Sequence, residues 1–320
     1  MKKVALFLLT CLLVIIAAAC GANDSSNGAE KGSEPKGDKK EAEVLTIKHE
    51  LGETKVEKNP KKVVVFDFGA LDTLDALGVE VAGVPQANIP PYLSKYEDKK
   101  YENVGSLKEP DFEKIAEIDP DLILISGRQS ESYEEFTKLA PTVYVGVDTA
   151  KYMESFKTNM EVIGQIFDKE DVIKEELANI DKDIEAVKEK AAGEKKSLII
   201  LTAGGKISAY GPGSRFGGII HDVLGVPAVE EKLEVSTHGQ NISPEFISEK
   251  NPDYLFVIDR DAAVGEGEGA KKVVENELVK NTNAFKNEKI TYLDPSYWYL
   301  SGGGLVSVKE MIKEVKEGIE

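Results

Sequence analysis

The chain has 320 residues, a formal charge of −17, three histidines and two cysteines, one of which, Cys11, falls inside a leading apolar segment. Such acidity argues against nucleic acid and against a basic membrane-binding face, and the cysteine count leaves no disulfide framework and no thiolate metal cluster. Of its 40 basic Lys and Arg residues only three are arginine: Arg128, Arg215 and Arg260.

In chain order, Lys2 and Lys3 precede an apolar run from Val4 to Ile16 that ends in Ala17-Ala18-Ala19-Cys20. This predicts a lipoprotein signal peptide over 1–19 and diacylglyceryl transfer to the Cys20 thiol, although Ala17 stands where such signals usually carry leucine. A transmembrane anchor and a fully cleaved signal are the alternatives; the run is short of the ~20 residues a spanning helix needs. In each case the remainder is expected outside the cytoplasm, lipid-anchored to the cell membrane if Cys20 is modified. Residues 20–43, rich in Gly, Ser, Asn, Lys and Glu, bury too little to order themselves and read as a disordered tether. Loss of Lys2 and Lys3 with the signal takes the formal charge from −17 to −19.

From residue 44 short β-branched runs alternate with helical patterns. Val63–Asp67, Val81–Val84, Leu122–Ile125 and Thr142–Val147 read as strands, with helical spacing at 71–77 and 112–118. An N-terminal α/β lobe over 44–168 is expected. Apolar residues at Ile173, Leu177, Ile180, Ile184, Val187 and Ala191 then define one amphipathic helix over 169–192, roughly 36 Å long at ~1.5 Å per residue. The pattern restarts at Leu198–Leu201, turns at Gly204-Gly205 into Ile207–Tyr210, and continues at Tyr254–Ile258 and Ile290–Leu293, a C-terminal lobe over 193–320. The fold class is therefore α/β: two Rossmann-like lobes with mainly parallel sheets, joined by one long stiff helix, with a cleft between them.

The lobes repeat. Between Glu113–Arg128 and Glu245–Arg260, at an offset of 132, six of sixteen positions are identical: Glu113/Glu245, Ile115/Ile247, Glu117/Glu249, Pro120/Pro252, Asp121/Asp253 and Arg128/Arg260. Duplication and turn chemistry account for the shared Pro-Asp. Each arginine, however, follows the C-terminal end of a strand, where open α/β sheets place ligands. Arg215 comes from a separate glycine-rich turn, Gly211-Pro212-Gly213-Ser214-Arg215-Phe216-Gly217, whose glycine spacing does not fit a dinucleotide loop. One arginine alone could be a surface ion pair or a helix cap; three in such loops favour a shared anion site.

His49, placed before the first strand, and His221, opening an apolar helix, read as structural. His238 stands in the polar loop Ser236-Thr237-His238-Gly239, and three scattered histidines do not build a bare-metal cage. Tyr297, Trp298 and Tyr299 lie just beyond the last strand. All three are candidate ligand-binding residues: packing beneath a glycine turn is the plain alternative, above all for Trp298, while either tyrosine could stack on an aromatic ligand or, deprotonated, bind Fe(III). Glu113 and Glu245 open matching helices, where helix-terminus electrostatics and docking to a basic partner are equal readings.

From Val63 onward the chain resembles the iron-siderophore binding lipoproteins of ABC importers, two-lobed and helix-linked. The resemblance rests on Val104–Asp111, Ile125–Ser130, Ser214–Gly217, Ile220–Gly225, Ser236–Gly239 and Tyr297–Leu300, and is closest to the catecholate branch, especially the petrobactin-binding proteins of bacilli. It implies a ferric siderophore as transported ligand with no intrinsic cofactor. It also implies an arginine triad at Arg128, Arg215 and Arg260, His238 and Tyr299 as residues able to complete iron coordination, and Glu113 and Glu245 as acids that meet an ABC permease. A monomer without catalysis is expected. Haem or cobalamin carried on the same scaffold is the alternative, with an extracytoplasmic hydrolase behind it: the chain has no Gly-x-Ser-x-Gly elbow and no two-histidine metal motif.

Overall fold

The computed structural model describes residues 43–320 apart from Glu266 and Glu268. The signal peptide, Cys20 and nearly all of the tether lie outside the described residues. A two-stranded antiparallel hairpin, β1 (Val44–His49) with β2 (Gly52–Glu57), comes first. It corrects the expectation for His49, which ends β1 instead of preceding the first strand. The hairpin holds on through two buried apolar positions, Ile47 and Val56, and the buried Thr54, whose hydroxyl donates to the Thr142 carbonyl at 2.7 Å; its other residues face outward or are half-buried.

The N-terminal lobe is a five-stranded, all-parallel sheet ordered β5-β4-β3-β6-β7, formed by β3 (Val63–Val65), β4 (Gly83–Val84), β5 (Glu102–Asn103), β6 (Leu122–Ile125) and β7 (Thr142–Tyr144). The C-terminal lobe orders its strands β10-β9-β8-β11-β12: β8 (Ser197–Ala203), β9 (Lys206–Tyr210), β10 (Gln240–Ile242), β11 (Tyr254–Asp259) and β12 (Ile290–Leu293). Here β8, β11 and β12 are parallel, whereas β9 and β10 turn back as antiparallel edge strands.

The central strands are apolar on both faces because both faces are covered. Val63, Val65, Leu122 and Leu124 point into one core, while Val64, Ile123 and Ile125 enter another on the opposite side of the sheet. In the second lobe Ile199, Leu201, Phe256 and Ile258 join the same inner core, and Leu198, Ile200, Leu255 and Val257 form the outer one. The inner core thus runs through both lobes. The long helix spans Glu170–Ala191, and all five of its buried residues are expected ones: Ile173, Leu177, Ile180, Ile184 and Val187.

The last helix, Leu305–Ile319, packs on both the connecting helix and Phe68–Ala76 of the first lobe. Its N-terminus is capped from across the lobes. Asp72, 1 % exposed, accepts the Val306 and Ser307 N–H groups at 3.2 and 3.0 Å, and Thr73 Oγ1 accepts Leu305 N–H at 3.0 Å. The Tyr92 hydroxyl lies 3.1 Å from Asp72 Oδ2 and 2.6 Å from Ser301 Oγ. Burial pushes the Asp72 carboxyl up to about 7 against the pull of these donors. Gly304 lets the two backbones meet: a Cβ there would stand 2.0 Å from Asp72 Oδ1 and 2.1 Å from the Gly69 carbonyl.

Candidate functional site

In each sheet the strand order reverses at the strand that begins it, at β3 beside β6 and at β8 beside β11, and loops leaving such a switch point frame a crevice. Arg128 leaves β6 within the turn Gly127–Ser132. That turn is set by a capping box: Ser126 N–H donates to Gln129 Oε1 at 3.2 Å, and the buried Gln129 anchors to the Leu107 carbonyl at 2.5 Å. Arg260 leaves β11 beside Asp261, which it pairs at 3.2 Å; Asp261 also accepts Gly204 N–H at 2.7 Å, so the carboxylate orients the guanidinium. Arg215 follows the turn at Gly213, whose φ of 71° suits glycine and whose N–H is held by Asp222 at 2.6 Å. The repeat explains its Pro-Asp as well. Asp121 accepts the Lys61 and Lys62 N–H groups at 2.8 Å ahead of β3, and Asp253 accepts Lys196 N–H at 3.0 Å ahead of β8.

All three arginines, with His238, Trp298 and Tyr299, line a single cavity of about 1070 Å³ between the lobes. Arg128 from one lobe and Arg215 from the other donate to the same acceptor, the Tyr299 carbonyl, each at 2.7 Å. Their guanidinium carbons lie 5.9 and 4.7 Å from the centre of the Tyr299 ring, and that of Arg215 lies 5.0 Å from the Phe216 ring. Burial, and next the charge of Arg128, lower the pKa of Arg215. Two cations share one neutral oxygen and one aromatic face; a polyanion seated there relieves their repulsion.

The three C-terminal aromatics divide. They lie just beyond β12, as expected, in a π-helical turn, Ser296–Ser301. Tyr299 is half-buried in the cavity wall. Trp298 is 1 % exposed and forms the floor, edge-on to Phe216, with its indole N–H donated to Glu314 at 2.7 Å. Tyr297 does not line the cavity and packs at a tilt of 43° against Tyr92 with ring centres 4.7 Å apart, so the structure gives it a packing role. His238 is exposed at the cavity edge, in a loop whose Gly239 rests against the Tyr210 ring. His49 and His221 are structural: His49 Nε2 meets Thr54 Oγ1 at 2.9 Å, and His221 Nδ1 meets the Val226 carbonyl at 2.7 Å.

Lys108, Lys206, Asp67, Tyr144 and Tyr210 also line the cavity and were not singled out as site residues from sequence. Asp67 caps helix Phe68–Ala76 through Ala70 N–H at 2.7 Å, and burial raises its pKa. Its signal was a charged residue ending an apolar strand. Tyr144 is pushed up to about 12 by burial and then by Glu50, Asp67 and Asp148, which keeps it a neutral phenol. Among the described residues no group of three or more His, Cys, Asp or Glu side chains comes together as a metal site. Glu113 and Glu245 are exposed in the first turns of the matching helices Phe112–Ile118 and Pro244–Lys250.

Two parallel-cored α/β lobes on a long helix, with converging loops around a cationic cleft, define a two-lobed ligand-binding protein. Residues 63–297 match the periplasmic binding protein family, and the chain belongs to that family. It is 58 % identical to the petrobactin-binding protein YclQ of Bacillus subtilis, over 100 % of both chains. The ferric-anguibactin-binding protein FatB of Vibrio anguillarum is 34 % identical, over 86 % of this chain and 88 % of its own. The crystal structure of YclQ from Bacillus subtilis superposes with a TM-score of 0.85 at 62 % identity, covering 87 % of this chain and 99 % of that one. That of the periplasmic catecholate-siderophore binding protein VctP of Vibrio cholerae gives 0.82 at 35 % identity, covering 86 % and 100 %.

Proposed function

We propose that this protein is an extracytoplasmic receptor that binds a ferric catecholate-type siderophore, petrobactin or a close analogue, and delivers it to an ABC permease for iron uptake without catalysing a reaction. The observation that carries this reading is the convergence of Arg128 and Arg215, one from each lobe, on the Tyr299 carbonyl and ring, with Arg260 in the same cavity. A ferric catecholate complex carries roughly three negative charges, and each charge pair at ~5 Å and an effective dielectric of about 20 is worth ~3 kcal/mol gross. A guanidinium also suits the face of a catechol ring, and that of Arg215 already sits 4.7 Å from the centre of the Tyr299 ring. The petrobactin-binding relative supports the choice of ligand.

Iron enters as part of its chelator, and His238 and Tyr299 are the side chains at hand for positions that the chelator leaves open. Glu113 and Glu245, exposed and one per lobe, are the acids offered to the permease. Lipid attachment at Cys20 keeps the receptor, acting as a monomer, beside it. Titrating apo-protein with ferric petrobactin, ferric enterobactin and a ferric hydroxamate, and following the fluorescence of the only tryptophan, tests the reading. Quenching by the two catecholates is expected; quenching by the hydroxamate alone would overturn the catecholate assignment.

A further inference from the structure

Tyr299 gathers the two arginines with its backbone oxygen, and what fixes that oxygen lies one layer below the cleft. The turn Ser296–Ser301 is wound as a π-helix, an uncommon geometry that recurs at functional sites. On the side away from the cleft, one side chain of the last helix ties into it. Glu314 accepts the Trp298 indole N–H at 2.7 Å and the Asp294 backbone N–H at 3.2 and 3.3 Å. Asp294 in turn accepts Ser296 N–H at 2.8 Å, so the exit of β12 and the middle of the turn are tied to the same carboxylate. Glu314 makes no ion pair with these partners, and burial raises its pKa, so the chain keeps a carboxylate where an apolar side chain would be easier to bury. The anchored residue, Trp298, is one peptide away from the shared carbonyl.

We propose that Glu314 is a positioning residue for the anion site. Through Trp298 and Asp294 it holds the Tyr299 carbonyl where Arg128 and Arg215 reach it together, within two hydrogen-bond lengths of each other. The guanidinium pair is thereby preset for a ligand that presents adjacent oxyanions, as two catecholate oxygens on one metal do. This rests on reading the cleft as an anion site, and the test separates the two ideas.

Affinity for ferric petrobactin is measured by calorimetry for the wild type, Glu314→Gln, Arg215→Ala and the double variant. Gln keeps the shape of Glu314 but turns an N–H₂ toward one of its two donors. The expected loss is about tenfold for Glu314→Gln in the wild type, the scale of one hydrogen bond to a charged group, shrinking to threefold or less in the Arg215→Ala background. Trp298→Phe, which removes the donor and leaves the carboxylate in place, should reproduce that non-additivity, and Arg215→Ala should shift the emission of Trp298 in ligand-free protein. Equal losses in both backgrounds, or none in either, would overturn the positioning role. Unchanged affinity in Arg215→Ala, or no binding by the wild type, would instead overturn the anion site beneath it.

Discussion

Arg215→Ala should weaken the ligand while leaving the empty protein as stable or more so. In the cleft Arg215 is half-buried, shares one carbonyl with Arg128, and has its pKa lowered by burial and by that second cation. Removing it relieves a like-charge pair and a desolvation cost, set against the loss of a 2.7 Å hydrogen bond and of ring contacts. On the ligand side, ~3 kcal/mol of gross attraction per charge pair falls after desolvation to about 1.4–2.8 kcal/mol, a loss of about 10- to 100-fold in affinity. Thermal melts read both effects. Ligand at 100 times the wild-type Kd stabilises the wild type by about 2.7 kcal/mol, and a tenfold weaker variant at the same concentration by about 1.4 kcal/mol. A variant whose empty form melts earlier while the ligand-induced shift is unchanged would refute the reasoning, because Arg215 would then be a structural residue. Arg215→Lys, which keeps the charge but not the planar fork, should fall between.

Glu113→Ala combined with Glu245→Ala should leave siderophore affinity unchanged and lower iron uptake by cells; a loss of affinity with normal uptake would remove their docking role. Asp72 has its carboxyl raised from 3.8 to about 7, so it binds more protons folded than unfolded, and its contribution to stability is present below 3.8 and is lost as pH rises toward 7. That difference is worth ~4 kcal/mol, and urea unfolding at pH 4 and pH 8 should show Asp72→Asn less pH-dependent than wild type by an amount of this order; parallel pH profiles would place the titration elsewhere. Gly304→Ala drives a methyl group to 2.0 Å from Asp72 Oδ1 and 2.1 Å from the Gly69 carbonyl, and should cost on the order of 3 kcal/mol, visible as a depressed melting temperature.

What could be read from sequence was what depends on local pattern. Leu122–Ile125 and Ile290–Leu293 are apolar or β-branched runs and became strands over those same residues, and the spacing from Ile173 to Val187 became the buried face of the connecting helix. The β1–β2 hairpin went unread because only Ile47 and Val56 are buried apolar residues in it, too few to give alternation. The π-turn at Ser296–Ser301 has no sequence period of its own, and the carboxylate that accepts its Trp298 N–H, Glu314, lies well along the next helix. Tyr297 and Tyr299, two residues apart in one aromatic run, are not separated by local pattern, only by the family resemblance that favours Tyr299; the turn sends one to Tyr92 and the other to the arginines. The cap that Asp72 makes on the last helix joins residues more than two hundred positions apart, and nothing in either segment points to the other.

The charge of the chain and the charge of its proposed ligand have the same sign, yet the two are compatible. At physiological ionic strength exposed charges are screened beyond ~8 Å, so acids on the outer faces act weakly on an anion already between the lobes, while the half-buried Arg215 is screened less. The division of labour between lysine and arginine follows from the same contrast. Lysines such as Lys188, Lys280 and Lys313 pair with carboxylates one helical turn away on exposed surfaces, where a strongly hydrated point charge serves. At Tyr299 two cations must approach one oxygen and one ring with part of their hydration removed. A guanidinium offers a weakly hydrated plane to the ring and a separate N–H to the oxygen; an ammonium would have to give up more water for either contact. Arg215 is thus the place where positive charge has to be dry, flat and shared, while the exposed Arg128 reaches the same oxygen from the solvent side.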